Sequence, residues 1–334
     1  METQTVAVEG KRKTWLTQSL VLVIIIVALV IVTSIVNPRF LRLNNILNIF
    51  QQISILGIVA SGIGMLLVAG QIDISVGSQI SWMGVILAMI IQKMLGLPEG
   101  NVAAWRVQFA IPLSIVITFA VGALLGLING ITVVKSRATS FIITLGFLSV
   151  YKGAALLTCK GSSYMLFGKF EWLGRGRIMD TLPVSILFFA GVLVITFIVL
   201  KYFRYGRFLY AIGGNKQAAY VSGIKTTRVT ITAYVVVGLC NALAALILIS
   251  RNGSALATTG DAYALDSLAS VIVGGVALAG GRGNALSIFL GVLLIGLVSN
   301  ALVIMNINPY ARDMVIGLIV IAAVTVGSLT SSRE

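Results

Sequence analysis

The sequence predicts an all-α polytopic membrane protein of about ten transmembrane helices, two of them broken, and three observations carry that prediction. Of 334 residues, 58% are hydrophobic and 10% charged, against roughly 25% charged in an ordinary soluble domain. A soluble fold of this size needs polar cover for its surface, so lipid must be the solvent around most of this chain. The apolar residues also fall into runs close to the ~20 residues that a bilayer span requires. Finally, glycine and single polar residues interrupt two of these runs, near 70–78 and 265–284. Irregular backbone at membrane depth is tolerated only where protein buries it or a watery cavity receives it.

The elements follow in chain order. Lys11-Arg12-Lys13 precede an apolar run that ends at Asn37-Pro38-Arg39. That run is too long for the apolar region of a signal peptide and no small-residue cleavage site follows. It is expected to be a retained first helix over 18–36, behind a cytoplasmic tail at 1–17. Further spans are expected at 46–70, 78–95, 109–134, 139–158, 183–200, 229–250, 265–280, 285–305 and 310–328. Gln51, Gln52 and Ser54 place the opening turns of the second span at the interface or against other helices. Residues 281–284 alone separate the eighth span from the ninth. The longest polar connection, 201–228, is too short for a core of its own, so 1–334 reads as one transmembrane domain. That connection carries Lys201, Arg204, Arg207, Lys216, Lys225 and Arg228 and no acidic residue. Basic short loops stay in the cytoplasm, and an even number of spans then brings both termini there.

Composition also excludes functions. The net charge of +14 sits in short patches between apolar runs and builds no basic groove for nucleic acid. Histidine is absent, which removes the commonest general base and metal ligand together. Cys159 and Cys240 are isolated in or beside apolar runs and suit packing rather than a disulfide or zinc site. No phosphate-binding Gly-x-x-x-x-Gly-Lys-Ser/Thr loop occurs, so this chain is not expected to hydrolyse ATP. No nucleophile–base or metal signature marks it as an enzyme, and no bound cofactor is expected.

Three segments carry information. The first is Gly70-Gln71-Ile72-Asp73-Ile74-Ser75-Val76-Gly77-Ser78. A carboxylate near the bilayer usually serves a pathway or a proton relay; alternatively Asp73 or Ser75 caps the third helix. The second runs from Leu265-Asp266-Ser267 through Gly274-Gly275 to Gly280-Gly281-Arg282-Gly283. Close helix packing explains its glycines, and so does a re-entrant helix beside a pathway, while Asp261 and Asp266 read as solvated loop positions. Gly64–Gly70 and Gly274–Gly280 share their glycine spacing, which suggests duplicated halves broken at matching places. The third segment spans Gly206 and Arg207 to Gly223 and Ile224. Asn215 as N-cap and Gly223 beyond the C-terminus frame a short helix at 216–222, which suits docking onto a partner or onto anionic lipid headgroups. Lys152 lies inside span five, where snorkelling or a place in an outer vestibule accommodates it.

With Gly126-Leu127-Ile128-Asn129-Gly130 and Phe141-Ile142-Ile143-Thr144-Leu145-Gly146, these segments resemble the permease subunit of bacterial ABC importers of the ribose and simple-sugar branch. The resemblance covers almost the whole chain in family order. It implies a type II ABC importer permease fold in the bacterial inner membrane. It also implies an ABC ATP-binding subunit that holds ATP and Mg, a periplasmic or lipid-anchored sugar-binding protein, and a second permease copy. By the same resemblance, Gly206, Arg207, Gly213, Gly214, Asn215, Gln217, Ala218, Ala219, Gly223 and Ile224 form the coupling loop to the ATPase. Asp73, Ser75, Gly77, Ser78, Asn129, Thr144, Lys152 and Asp266 are expected along the translocation pathway. Gln71, where the family often has Gly, and Ala264, where it often has an acidic residue, depart from the pattern. The reading that competes with an ATP-driven sugar importer is an ion-coupled secondary transporter, in which Asp73 would carry the ion.

Overall fold

The computed structural model describes residues 20–99, 102–136, 138–308, 311, 313–319, 321–322 and 325. The tail at 1–17 and much of the last expected span, 310–328, lie outside them. Twelve helices are labelled in chain order: α1 (Leu20–Val36), α2 (Leu43–Val68), α3 (Val76–Leu95), α4 (Ala104–Ser136), α5 (Ser140–Cys159), α6 (Trp172–Arg175), α7 (Val184–Tyr202), α8 (Arg204–Gly214), α9 (Lys216–Val221), α10 (Thr226–Asn252), α11 (Ala262–Val273) and α12 (Ala285–Ile304). Seven of these (α2, α3, α4, α5, α7, α10 and α12) are long and apolar enough to cross a membrane. Described residues 313–319 are helical as well. Two short strand pairs decorate one end of the bundle: Tyr164–Met165 with Ser254–Ala255, and Arg177–Ile178 with Leu182–Pro183.

The chain is all-α and polytopic, with α2 at its centre. In the most apolar stretch of α2, 89% of residues are buried within the chain, against 17% for α5. The outward faces of α4, α5 and α7 remain apolar. The tightest packing joins α4 to α10, where Gly122, Gly126 and Gly130 recur every fourth residue. A methyl at Gly122 would stand 2.5 Å from the Gly238 carbonyl oxygen, and one at Gly130 2.9 Å from the Ile231 Cα. Small residues at this period let two helix backbones touch where no water drives them together.

Both expected breaks are present and use one device. α2 ends as Gly70 turns to φ 70, with Gly70 N–H donating to the Leu67 carbonyl (2.8 Å) and Gln71 N–H to that of Leu66 (3.2 Å). α11 ends as Gly275 turns to φ 99, with Gly275 N–H donating to Ile272 (2.9 Å) and Val276 N–H to Val271 (3.1 Å). This paired closure needs a left-handed residue, which glycine supplies without a Cβ penalty. The expected span at 265–280 is therefore corrected to a helix of 12 residues, ~18 Å long against a hydrocarbon core of ~30 Å. The chain turns at Gly275 and resumes as α12, whose first turn Asn284 caps by accepting from Ser287 N–H at 2.9 Å.

The connection 201–228 is more ordered than its polarity suggests. α8 occupies its first half and buries Gly206, Leu209 and Ile212 against the bundle, residues three apart on one helical face. The expected helix at 216–222 is α9, and Asn215 caps it by accepting from Ala218 N–H at 2.9 Å. Gly223 follows with φ 83.

Candidate functional site

The residues singled out in the sequence gather in three places. At the end of the bundle bearing α8 and α9, both helix breaks meet α8 through bare backbone. Gly281 N–H donates to the Val68 carbonyl at 2.8 Å. Around Gly213 there is no room for a side chain: a Cβ would run into the Val68 carbonyl oxygen and the Gly281 nitrogen. One on Gly280 would lie 2.7 Å from Gly70 Cα and 3.0 Å from Gly213 Cα. Tyr210 of α8 adds a bolt, its hydroxyl donating to the Gly283 carbonyl at 2.7 Å. Burial holds that hydroxyl above the ordinary phenol range, so it stays a donor at physiological pH. Past this junction the chain turns outward. Gly214, Asn215, Gln217, Ala218 and Gly223 are exposed, Ala219 is buried and Ile224 half-buried. Arg207 is exposed and donates to the Tyr202 carbonyl at 3.2 Å. A cavity of about 470 Å³ lies beside the junction, lined by Gly70, Gln71, Ser140, Lys216 and Thr230 among others.

The second place is a closed polar network one step deeper, where the segment after Gly70 enters the bundle. Asp73 Oδ1 accepts from Ser75 N–H (2.9 Å) and Ser75 Oγ (2.6 Å), while Oδ2 accepts from Gln79 Nε2 (3.2 Å) and Asn129 Nδ2 (3.0 Å). Ser75 Oγ accepts in turn from Gln79 and Asn129, each at 2.9 Å. Tyr151 OH donates to Asn129 Oδ1 at 2.6 Å, and Asn241 Nδ2 to Gln79 Oε1 at 3.0 Å. Four helices (α3, α4, α5 and α10) thus converge on one carboxylate that is 3% exposed. The segment's backbone is held alongside: Ile72 N–H donates to Ser140 Oγ (3.1 Å), Ile74 N–H to Thr144 Oγ1 (3.2 Å), and Tyr234 OH to the Ile72 carbonyl (3.1 Å). Of the two capping alternatives, Ser75 at the N-cap of α3 makes no side-chain cap bond, whereas Asp73 does accept from the backbone N–H of Ser75 at the entry to α3 while also holding Gln79 and Asn129.

Gly77 and Ser78, also buried, open α3. A methyl on Gly77 would stand 2.8 Å from the Gly260 carbonyl oxygen, so that glycine lets the entry to α11 lie against α3. Lys152 is elsewhere, nearer the strand-bearing end, in an ion pair of 2.7 Å with Asp261. Asp261 keeps a partly solvated turn position, its side chain 35% exposed, and gains this partner. Asp266, read likewise as a loop position, is buried within α11. It borders a second cavity, of about 490 Å³, between α2, α10, α11 and α12.

Sequence reasoning brought together Asp73, Ser75, Asn129 and Thr144 but missed Gln79, Tyr151, Asn241 and Tyr234. Gln79 and Asn241 carried a signal, as lone amides within apolar spans that need partners in lipid. The two tyrosines carried none, because an aromatic ring with a polar tip suits both a core and an interface. Among the described residues, no group of three or more His, Cys, Asp or Glu gathers in a way that could hold a metal ion.

The family described as branched-chain amino acid transport system / permease component matches residues 45–324. The chain is 36% identical over 300 residues to the ribose import permease protein of Bacillus subtilis, covering 89% of this chain and 88% of that one. It is 32% identical over 337 residues to the ribose import permease protein of Escherichia coli K12, covering 98% of each. To the galactose/methyl galactoside import permease protein of Haemophilus influenzae it is 32% identical over 305 residues, with 89% and 90% covered. No solved structure matches. With a match that takes in most of the chain, and relatives alike from end to end, this chain belongs to the branched-chain amino acid transport system / permease component family.

Proposed function

We propose that this chain is the membrane subunit of an ATP-driven ABC importer that admits a monosaccharide, ribose-like or another simple sugar, across the bacterial inner membrane. The family's description speaks of branched-chain amino acids, whereas the relatives described above are ribose and galactose permeases at 32–36% identity. The relatives carry more weight for cargo, because they match nearly the full length and agree on a sugar. Two copies of the chain, or this chain and a related one, form the pore. A periplasmic or lipid-anchored binding protein supplies the sugar at the strand-bearing end. The α8–α9 end and both termini face the cytoplasm, where an ATPase subunit holds ATP and Mg.

The observation that carries this reading is the junction at Gly213. An exposed element, α9, is joined through α8 to the breaks of α2–α3 and α11–α12 at once. Ala219 anchors α9, and Tyr220 and Val221, 66% and 77% exposed, face outward. An ATPase closing on ATP displaces α9, and α8 passes the displacement to both breaks because no side chain cushions the contact. The breaks lead to the Asp73 network on one side and to α11 on the other, so one push alters both walls of a pathway. The Asp73 carboxylate accepts four hydrogen bonds within the chain, which suits a fixed anchor better than the exchangeable ion site of a secondary transporter.

Copurification tests the docking step. Ala218→Arg, at an exposed position of α9, should abolish recovery of the ATPase subunit with the permease while leaving the permease itself intact in detergent. Undiminished recovery would remove the assigned role of α9.

A further inference from the structure

The corner between α7 and α8 gathers cations at the edge of an apolar surface. α7 has 19 residues, ~28 Å of helix against a hydrocarbon core of ~30 Å, so its last turn reaches headgroup level. Val194, Ile195 and Ile198 keep its outer face apolar and exposed, and Lys201, Tyr202, Phe203 and Arg204 follow, all exposed. Lys201 Nζ stands 5.0 Å from the centroid of the Phe197 ring and 5.1 Å from that of Tyr202, and the two rings meet edge to face at 81°. The rings hold the ammonium at the border of the apolar face, where cation–π attraction stands in for a counter-ion. From α8, Arg207 reaches back to the same place. Its guanidinium donates to the Tyr202 carbonyl at 3.2 Å, one of the last carbonyls of α7, which the helix itself leaves unmatched. Residues 201–228 contain no Asp or Glu, and among the described residues no carboxylate pairs with Lys201, Arg204 or Arg207.

We infer that this corner is a binding site for an anionic phospholipid, whose phosphate meets Lys201, Arg204 and Arg207 while its acyl chains lie along the outer face of α7. The charges are complementary: three cations without a carboxylate face a headgroup that carries net negative charge. A guanidinium has five N–H donors, so Arg207 keeps most of its fork free for phosphate oxygens after bonding Tyr202, and Arg204 has all of its own. The apolar face directly beneath distinguishes a lipid from a free phosphate, which would use the cations and leave that face bare. Tyr202 and the two phenylalanines fit the same depth, since aromatic side chains collect at the membrane–water interface. A protein partner is the weaker fit. The element turned outward for docking is α9, whereas this corner opens α8 ~14 Å of helix away from Gly213 and is continuous with the apolar surface of α7. The cytoplasmic placement of 201–228 would put the lipid in the inner leaflet, but the site itself depends neither on that placement nor on the cargo.

Lipid retention by the full-length chain, read by native mass spectrometry, tests the site with phosphatidylglycerol and phosphatidylcholine of matched acyl chains as probes. The chain should keep phosphatidylglycerol in preference. Lys201→Gln and Arg204→Gln should each weaken binding of the first retained phosphatidylglycerol about fivefold, the effect of one cation at a membrane surface. Lys201→Arg keeps the charge and should bind as the unmodified chain does. Lys169→Gln removes an exposed cation at the strand-bearing end and should change nothing. Equal retention of the two lipids, or an equal loss in Lys169→Gln, would reduce the effect to bulk charge and overturn the site. Displacement of the retained lipid by millimolar inorganic phosphate would overturn the lipid assignment in favour of a free anion. Recovery of the ATPase subunit should be the same in Lys201→Gln and Arg204→Gln as in the unmodified chain; its loss, with lipid retention unchanged, would give the corner to the ATPase instead. Retention is read without transport, so failure of the site leaves the sugar-import reading standing, and failure of that reading leaves the site.

Discussion

Asp73 is where a single residue decides most. Its carboxylate meets four donors and, among the described residues, no cation, so oriented dipoles balance its charge. Asp73→Asn keeps the shape but aims an NH₂ group at the donor amides of Gln79 and Asn129. Rotating either amide to relieve this disturbs the bond that its oxygen accepts, from Asn241 or from Tyr151. We expect a loss of about 1–3 kcal/mol, read as a lower Tm of the detergent-purified protein; an unchanged Tm would refute the network's structural role. The Lys152–Asp261 pair offers the contrast, its side chains 40% and 35% exposed. A pair so open to solvent contributes at most about 1 kcal/mol. Lys152→Met should therefore shift Tm little, and the difference should shrink further in high salt.

Elements transmit what residues fix. Gly213→Val forces a branched side chain between Val68 and Gly281, so α8 must part from the two breaks while α9 keeps its outward surface. The expected variant binds the ATPase and hydrolyses ATP but transports at a small fraction of the normal rate, a split that uptake and phosphate release measured side by side would reveal. Equal transport and hydrolysis would show that force takes another route. Gly126→Leu tests a different contact, because a Cβ there would stand 2.8 Å from Val235 Cα. It should separate α4 from α10 and lower the yield of folded protein severely. The breaks themselves were legible in the sequence, since Gly70 and Gly274-Gly275 interrupt apolar runs with the one residue suited to such turns. Two things were not legible. α8 looked like a polar loop because only one residue in three faces the bundle, and the pairing of Lys152 with Asp261 joins residues 109 positions apart, which local patterning cannot bring together.

At the scale of the molecule, the apolar outer faces of α4, α5 and α7 leave lipid or a second copy as neighbours, and the central α2 carries the chain's own core. An ATP-coupled importer of this design should lose uptake on ATP depletion and keep it in the presence of a protonophore; the reverse pattern in whole cells would favour ion coupling. The shortness of α11 has a consequence for leakage. Asp266, which borders one cavity, and Val273 at the helix end are seven residues apart, so along α11 only ~10 Å of helix separates that cavity from the glycine-built break that follows. A partition so thin has little spare depth for redundant seals. Each half-cycle must close one face before it opens the other, and a slight misfit of α11 would show first as water and ions slipping through an idle transporter, before any fault in sugar delivery could be measured.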